Sequence, residues 1–285
     1  MSLSDRKDGK LLKDLDGMHY ICPIIYPNRC DNEAFISDVI DLTNVDKYLK
    51  KKNKNSDYHY NVFQVMCVAM AKVLYLRPKM NYFIANSNMY ERYEKTLSFV
   101  VKKKFADNGQ EGLAIIKTKP NDTIDTIHEK IKKIVFKERN DSEKDPSSKY
   151  MDIFANKIPR VISKFLVRRV MWLDKHGLVP GFFIESDPYY TSVVITNLGS
   201  IKLKSGYHHL TNWGTNSIFL AIGEAKKRTL NIDGKNVIKN SIDIGLTIDE
   251  RIADGYYFSR TLALLKKILA NPEVLEDSLD KEIEY

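Results

Sequence analysis

The residues best equipped for proton transfer lie in the last third of the chain. Two adjacent histidines stand in Tyr207-His208-His209-Leu210, followed by Thr211-Asn212-Trp213-Gly214. A histidine titrates near neutrality, so either ring suits a general base, and a carboxylate can orient such a ring. The plainer reading is a loop pair beside a Trp213 packed on the core. Further on, Asp249-Glu250-Arg251-Ile252-Ala253-Asp254-Gly255 gathers carboxylates around one guanidinium. Cys22, Cys30 and Cys67 are odd in number and irregularly spaced, which argues against a disulfide framework and against a metal site of the zinc type. Cys67 reads as a small core residue, and the set fits a reducing, cytoplasmic setting.

Strands and helices alternate along the whole chain. Residues 35–42 (FISDVIDL) alternate as a strand, and Thr43 or Asn44 is placed to cap a helix to Lys51, with a charged loop over 50–57. Residues 61–76 are apolar nearly all round, apart from Gln64 and Lys72, which predicts a buried helix that Pro78 stops. Residues 93–105 and 112–118 read as strands around an Asp107-Asn108-Gly109 turn. Asp122 caps a helix carrying Ile124, Ile127, Ile131, Ile134 and Val135 at helical spacing, and a polar loop follows over 140–148.

The stretch 150–176 predicts a long amphipathic helix, with Pro159 starting or kinking it. Ile158, Ile162, Phe165, Leu166 and Leu173 form a core stripe, and Arg160, Lys164, Arg168 and Lys175 a solvated basic one. Strands are expected over 192–196, 218–223 and 241–248. The last helix runs over 255–270, with Phe258, Leu262, Leu265 and Leu269 inward. No internal repeat is visible, so the chain is expected to be one mixed α/β domain over 1–285.

The composition bounds the function only loosely. Of 285 residues, 43% are hydrophobic and 29% charged, an ordinary globular balance. The net charge of +8 suits anionic ligands, yet no basic run carries a nucleic-acid motif, so nucleic acid is not an expected partner. The first sixteen residues lack the apolar segment of a signal peptide, and no apolar stretch is long enough to span a bilayer.

Taken in order, several of these stretches resemble one family. Residues 241–275 (SIDIGLTIDERIADGYYFSRTLALLKKILANPEVL) resemble the end of the catalytic domain of the 2-oxoacid dehydrogenase complex acyltransferases (dihydrolipoamide acyltransferases) and of the related chloramphenicol acetyltransferases. The shared pattern is a strand, then Asp-His-Arg-x-x-Asp-Gly, then an amphipathic helix. Residues 194–199 (VITNLG), 218–227 (IFLAIGEAKK), 61–81 with Pro78-Lys79-Met80-Asn81, and 112–128 match further stretches in the same order, over roughly 20–275.

The resemblance implies a chloramphenicol-acetyltransferase-like, two-layer α/β (α+β) fold with a large mixed sheet flanked by helices. It also implies a homotrimer with active sites in channels between subunits, and an acyl group passing from acyl-coenzyme A or another acyl thioester to an acceptor. No tightly bound cofactor is implied. Thr196 matches the hydroxyl that donates to the tetrahedral oxyanion. Asn197, Arg251 and Gly255 match the structural motif, with Gly255 serving the turn into the helix, and Asp254 matches the Asp that orients the site.

Two departures matter. Glu250 stands where the family has its catalytic His. Free thiol, His and Glu have pKa values of about 8.5, 6.5 and 4.3, so Glu makes thiol deprotonation harder by a further ~2 units, roughly 3 kcal/mol or a hundredfold. Burial would close that gap; alternatively His208 or His209 supplies the base, with Glu250 orienting it. The second departure is 146–180, which reads as a helical insertion whose basic face suits phosphates. No lipoyl or subunit-binding domain is visible. An active acyltransferase (transferring to an unknown acceptor) and an inactive member of the fold, acting as an oligomeric binding protein, are both consistent with these residues.

Overall fold

A computed structural model describes residues 4–102, 111–140, 158–232 and 234–285. The expected Asp107-Asn108-Gly109 turn, nearly all of the 140–148 loop and the start of the 150–176 stretch lie outside them.

The body is a large mixed sheet with helices on one face. The helices are α1 (Gly17–Ile25), α2 (Thr43–Lys52), α3 (Val62–Leu76), α4 (Ile124–Asn140), α5 (Arg160–Lys175), α6 (Gly181–Ser186) and α7 (Gly255–Ala270). The main sheet runs in the order β2 (Glu33–Asp41), β10 (Lys235–Asp249), β8 (Ile218–Ile222), β7 (Val193–Asn197), β5 (Lys95–Lys102), β6 (Glu111–Thr118). β7 is parallel to both its neighbours, and β9 (Lys226–Ile232) pairs with the first half of β10. β1 (Gly9–Leu11), β4 (Asn88–Arg92) and β3 (Tyr82–Ala85) form a small second sheet.

The core lies between the main sheet and α2, α3, α4 and α7. α3 is its centre, because an uninterrupted apolar surface must be covered on every side. Asn61 and Gln64 form a reciprocal capping box at its start. Lys72 interrupts the apolar run without leaving the core: it is fully buried, and its ammonium donates to the Ser278 carbonyl at 2.6 Å. Cys67 is fully buried and free, as expected, and burial pushes its thiol up.

Local caps differ from the sequence reading in two places. α2 begins after Leu42, not at a Thr43 or Asn44 cap, because the Asp41 carboxylate already accepts from the Thr43 backbone N–H and hydroxyl. Asp122 does not take the first helical N–H of α4; it accepts from Thr126 Oγ1, the Lys119 N–H and Lys130.

α5 is the larger correction. It starts after Pro159, but its expected core stripe divides: Leu166 and Leu173 are half-buried, whereas Ile162 and Phe165 are 50% and 67% exposed. Asp174, buried and paired with Arg6 at 2.8 Å, is the one buried residue of this helix.

Candidate active site

The face of the main sheet turned away from α2, α3, α4 and α7 carries the residues of interest. Side chains alternate along a strand, so Val194 and Thr196 on β7, Phe219 and Ala221 on β8, and Gly245, Thr247 and Asp249 on β10 share this face. A buried cluster of Val194, Phe219 and Leu210 marks it. The segment 203–210 crosses the strands here at close range. A β-carbon on Gly223 would stand 2.4 Å from the Ser205 nitrogen, and one on Gly245 2.2 Å from the Gly206 carbonyl oxygen. Tyr207 then meets Phe35 at 5.1 Å and the His208 ring lies flat on Phe219 at 4.2 Å.

Two buried arginines pin the chain that follows. Arg29 donates to the carbonyls of Thr211, Gly214 and Ile84, and Arg92 to those of Tyr190 and Thr215 and to the Thr215 hydroxyl. Burial lowers both guanidinium pKa values, that of Arg92 to about 10. Gly214 adopts φ +72°, and a β-carbon there would strike the Tyr189 carbonyl. Trp213 is held by an Nε1–H bond to Asp187 at 2.6 Å and by Phe183.

Within this frame each expected site residue has a definite place. Thr196 is half-buried, and its hydroxyl makes no hydrogen bond among the described residues. Asn197 ends β7 as the cap of a short 3-10 turn. Glu250 is exposed, its backbone N–H donating to the Asn32 carbonyl at 2.9 Å, and its carboxylate has no partner among the described residues. His208 and His209 are exposed and stack on each other; no bond joins either to Glu250. The carboxylate that touches their segment is Glu33, which accepts from the Leu210 N–H. Asp254 caps α7 through the Tyr257 N–H at 2.7 Å. Gly255 lacks the positive φ that would demand glycine, and a β-carbon there meets nothing, so the turn into α7 does not require it. Arg251 is buried, with its guanidinium on Asp249 and on the Tyr26 carbonyl.

The register decides which of these can meet. Thr196 is level with Ala221, and Ala221 with Gly245, across two strand spacings. Glu250 opens the 3-10 turn just past the end of β10, five residues beyond Gly245, so at ~3.3 Å per residue and ~4.8 Å per strand it is about 19 Å from Thr196. One protomer cannot bring both to one reacting atom.

Sequence reasoning missed Arg29 and Asp249 as partners. Their side chains approach to 3.6 Å, with Asp249 wholly buried between Arg29 and Arg251. A lone arginine in a polar stretch has no spacing signal that would reveal this. It also missed α1, whose Met18, Ile24 and Ile25 are exposed beside the site.

No curated protein matches the chain in sequence. Residues 186–276 match the family model described as 2-oxoacid dehydrogenases acyltransferase (catalytic domain). Among solved structures, a probable dihydrolipoamide acetyltransferase from Listeria monocytogenes 4b F2365 is similar at 17% identity and TM-score 0.59, over 97% of this chain and 98% of that one. A chloramphenicol acetyltransferase is similar at 13% identity and TM-score 0.60, over 92% and 99%. The cubic core of a pyruvate dehydrogenase multienzyme complex is similar at 13% identity and TM-score 0.59, over 93% of each chain. By fold, then, this is a chloramphenicol-acetyltransferase-like α/β domain, and its C-terminal third carries the sequence pattern of the 2-oxoacid dehydrogenase acyltransferase catalytic domain.

Proposed function

We propose that the chain transfers an acyl group from a thioester, with acyl-coenzyme A as donor, at sites formed between the subunits of a homotrimer. The separation of Thr196 from Glu250 within one protomer carries this reading, because a reacting centre flanked by both needs a second copy. Thr196 donates its free hydroxyl to the oxyanion of the tetrahedral intermediate. Glu250 takes the acceptor's proton. Its carboxylate is solvated in the lone protomer, and cover from a neighbouring subunit would raise its proton affinity toward that of a useful base. Asp254 and Arg251 position the turn between β10 and α7. The free thiols fit a reducing, cytoplasmic setting.

Glu250 itself favours a second reading, in which the trimer binds an acyl thioester without turnover. His208 or His209 as an alternative base is tested by alanine variants: either residue is dispensable if full activity survives its loss. The deciding experiment is calorimetry with coenzyme A and acetyl-coenzyme A, beside a Thr196→Ala control. Binding near micromolar affinity supports the donor assignment and opens an acceptor screen, with Glu250→His as the next variant. No binding at millimolar ligand removes the acyltransferase reading.

A further inference from the structure

α5 presents an unusual outward surface. At about 100° per residue, Val161, Ile162, Phe165 and Trp172 share one arc, and Arg160, Lys164, Arg168 and Lys175 fill the adjoining arc. Val161 is 79% exposed and Trp172 44% exposed. Arg169 falls within the apolar arc, between Phe165 and Ile162, with its guanidinium 4.5 Å from the Trp172 ring centre. Cations thus border the apolar strip on one side and Arg169 lies within it, while its other side runs into the half-buried Leu173 and Leu166. The helix's one carboxylate, Asp174, is buried and neutralised by Arg6, so every exposed charge is positive. Two further exposed apolar side chains, Leu178 and Phe182, follow directly in the chain.

Nothing within the described chain covers this strip, and charge decides between possible occupants. A second copy carries the same net +8. Its acidic end, from Glu273 onward, exposes no large apolar side chain to match the strip. Its other exposed apolar helix, α1 (GMHYICPII), contains no carboxylate. An anionic bilayer surface supplies both requirements at once: phosphate headgroups for the flanking cations and acyl chains for Phe165 and Trp172.

We propose that α5 lies flat on an anionic membrane surface, seating Val161, Ile162, Phe165 and Trp172 at the headgroup boundary. No helix among the described residues is long and apolar enough to cross a membrane, so the contact is peripheral.

The test is co-sedimentation of the full chain with phosphatidylcholine vesicles, with and without phosphatidylglycerol. The expected result is binding at least about tenfold stronger to the phosphatidylglycerol vesicles, weakened by salt. A Lys164→Glu/Arg168→Glu variant and a Phe165→Ser/Trp172→Ser variant should each lose about tenfold or more, with unchanged circular dichroism, since all four side chains are exposed. Brominated lipid should quench tryptophan emission in the parent protein. Absent binding, equal binding to phosphatidylcholine alone, or variants that bind as the parent does would overturn the proposal. So would light scattering in which the Phe165→Ser/Trp172→Ser variant loses mass, because the strip would then belong to a contact between copies.

Discussion

The Asp249 carboxylate receives both arms of the Arg251 guanidinium, Nε to Oδ1 at 2.8 Å and a terminal nitrogen to Oδ2 at 2.6 Å, across only two residues of chain. Arg29 stands 3.6 Å from the same carboxylate. All three are buried, and among the described residues Asp249 is the one carboxylate within ion-pair distance of either desolvated cation. Asp249→Asn is therefore expected to cost about 3–5 kcal/mol, read as a lower urea midpoint. An unchanged midpoint would mean that water or backbone carbonyls satisfy both arginines.

Thr196→Ala is expected to lower kcat by about 10²–10³ by removing one oxyanion donor. Glu250→Gln should lower it by about 10²–10⁴ by removing the proton acceptor. If, as proposed, the two residues of one site come from different protomers, mixing the two inactive variants and allowing subunits to exchange should restore part of the activity. A mixture as inactive as its components would place both residues in one protomer's site, against the register.

Gly245→Ala pushes a methyl group into the Gly206 carbonyl, 2.2 Å from the new atom. Backbone has to give way there, so a loss of about 1–3 kcal/mol is expected. His208 rides on this segment, and its ring resonances should shift in the NMR spectrum. A variant with normal stability and unshifted histidines would show that the crossing segment is loosely held.

His128 is buried, stacks on Tyr60 at 3.8 Å, and meets Gln64 Oε1 at 3.3 Å. Burial lowers its pKa below the ordinary 6.5. The unfolded chain then takes the proton first, so stability holds above pH about 6.5 and falls as pH drops through the lower folded value. Asp122, Asp125 and Asp243 have lowered pKa values, so they lose their contributions only in more acidic solution. Just below about pH 6.5 the His128→Phe variant should show a flatter stability profile than the parent. A parallel profile would assign the slope elsewhere.

Much of the layered fold was legible in the residues. The buried α3 follows from its apolar run and the Pro78 that stops it, and α7 occupies the 255–270 expected from its spacing and Pro272. β10 reaches further than its apolar segment because 235–240 is stabilised by pairing with β9, and pairing partners leave no trace in local pattern. The site was half legible. Thr196 and Glu250 were named, but the distance between them depends on strand register, which no single segment encodes. α1 escaped notice because it is short, carries Pro23 within it and leaves its apolar side chains exposed, so no core-facing stripe marks it.

The crossing of 203–210 over the sheet limits which residues the strands beneath it can carry. Gly199, Gly223 and Gly245 each face backbone so closely that any side chain would collide. A side chain that reaches solvent can be exchanged without moving the backbone. A row of positions that must stay empty cannot be traded without rebuilding the crossing. At Gly223 and Gly245 the sheet therefore dictates an absence of side chain, and that demand is set by the path of the backbone and holds whatever chemistry this face carries.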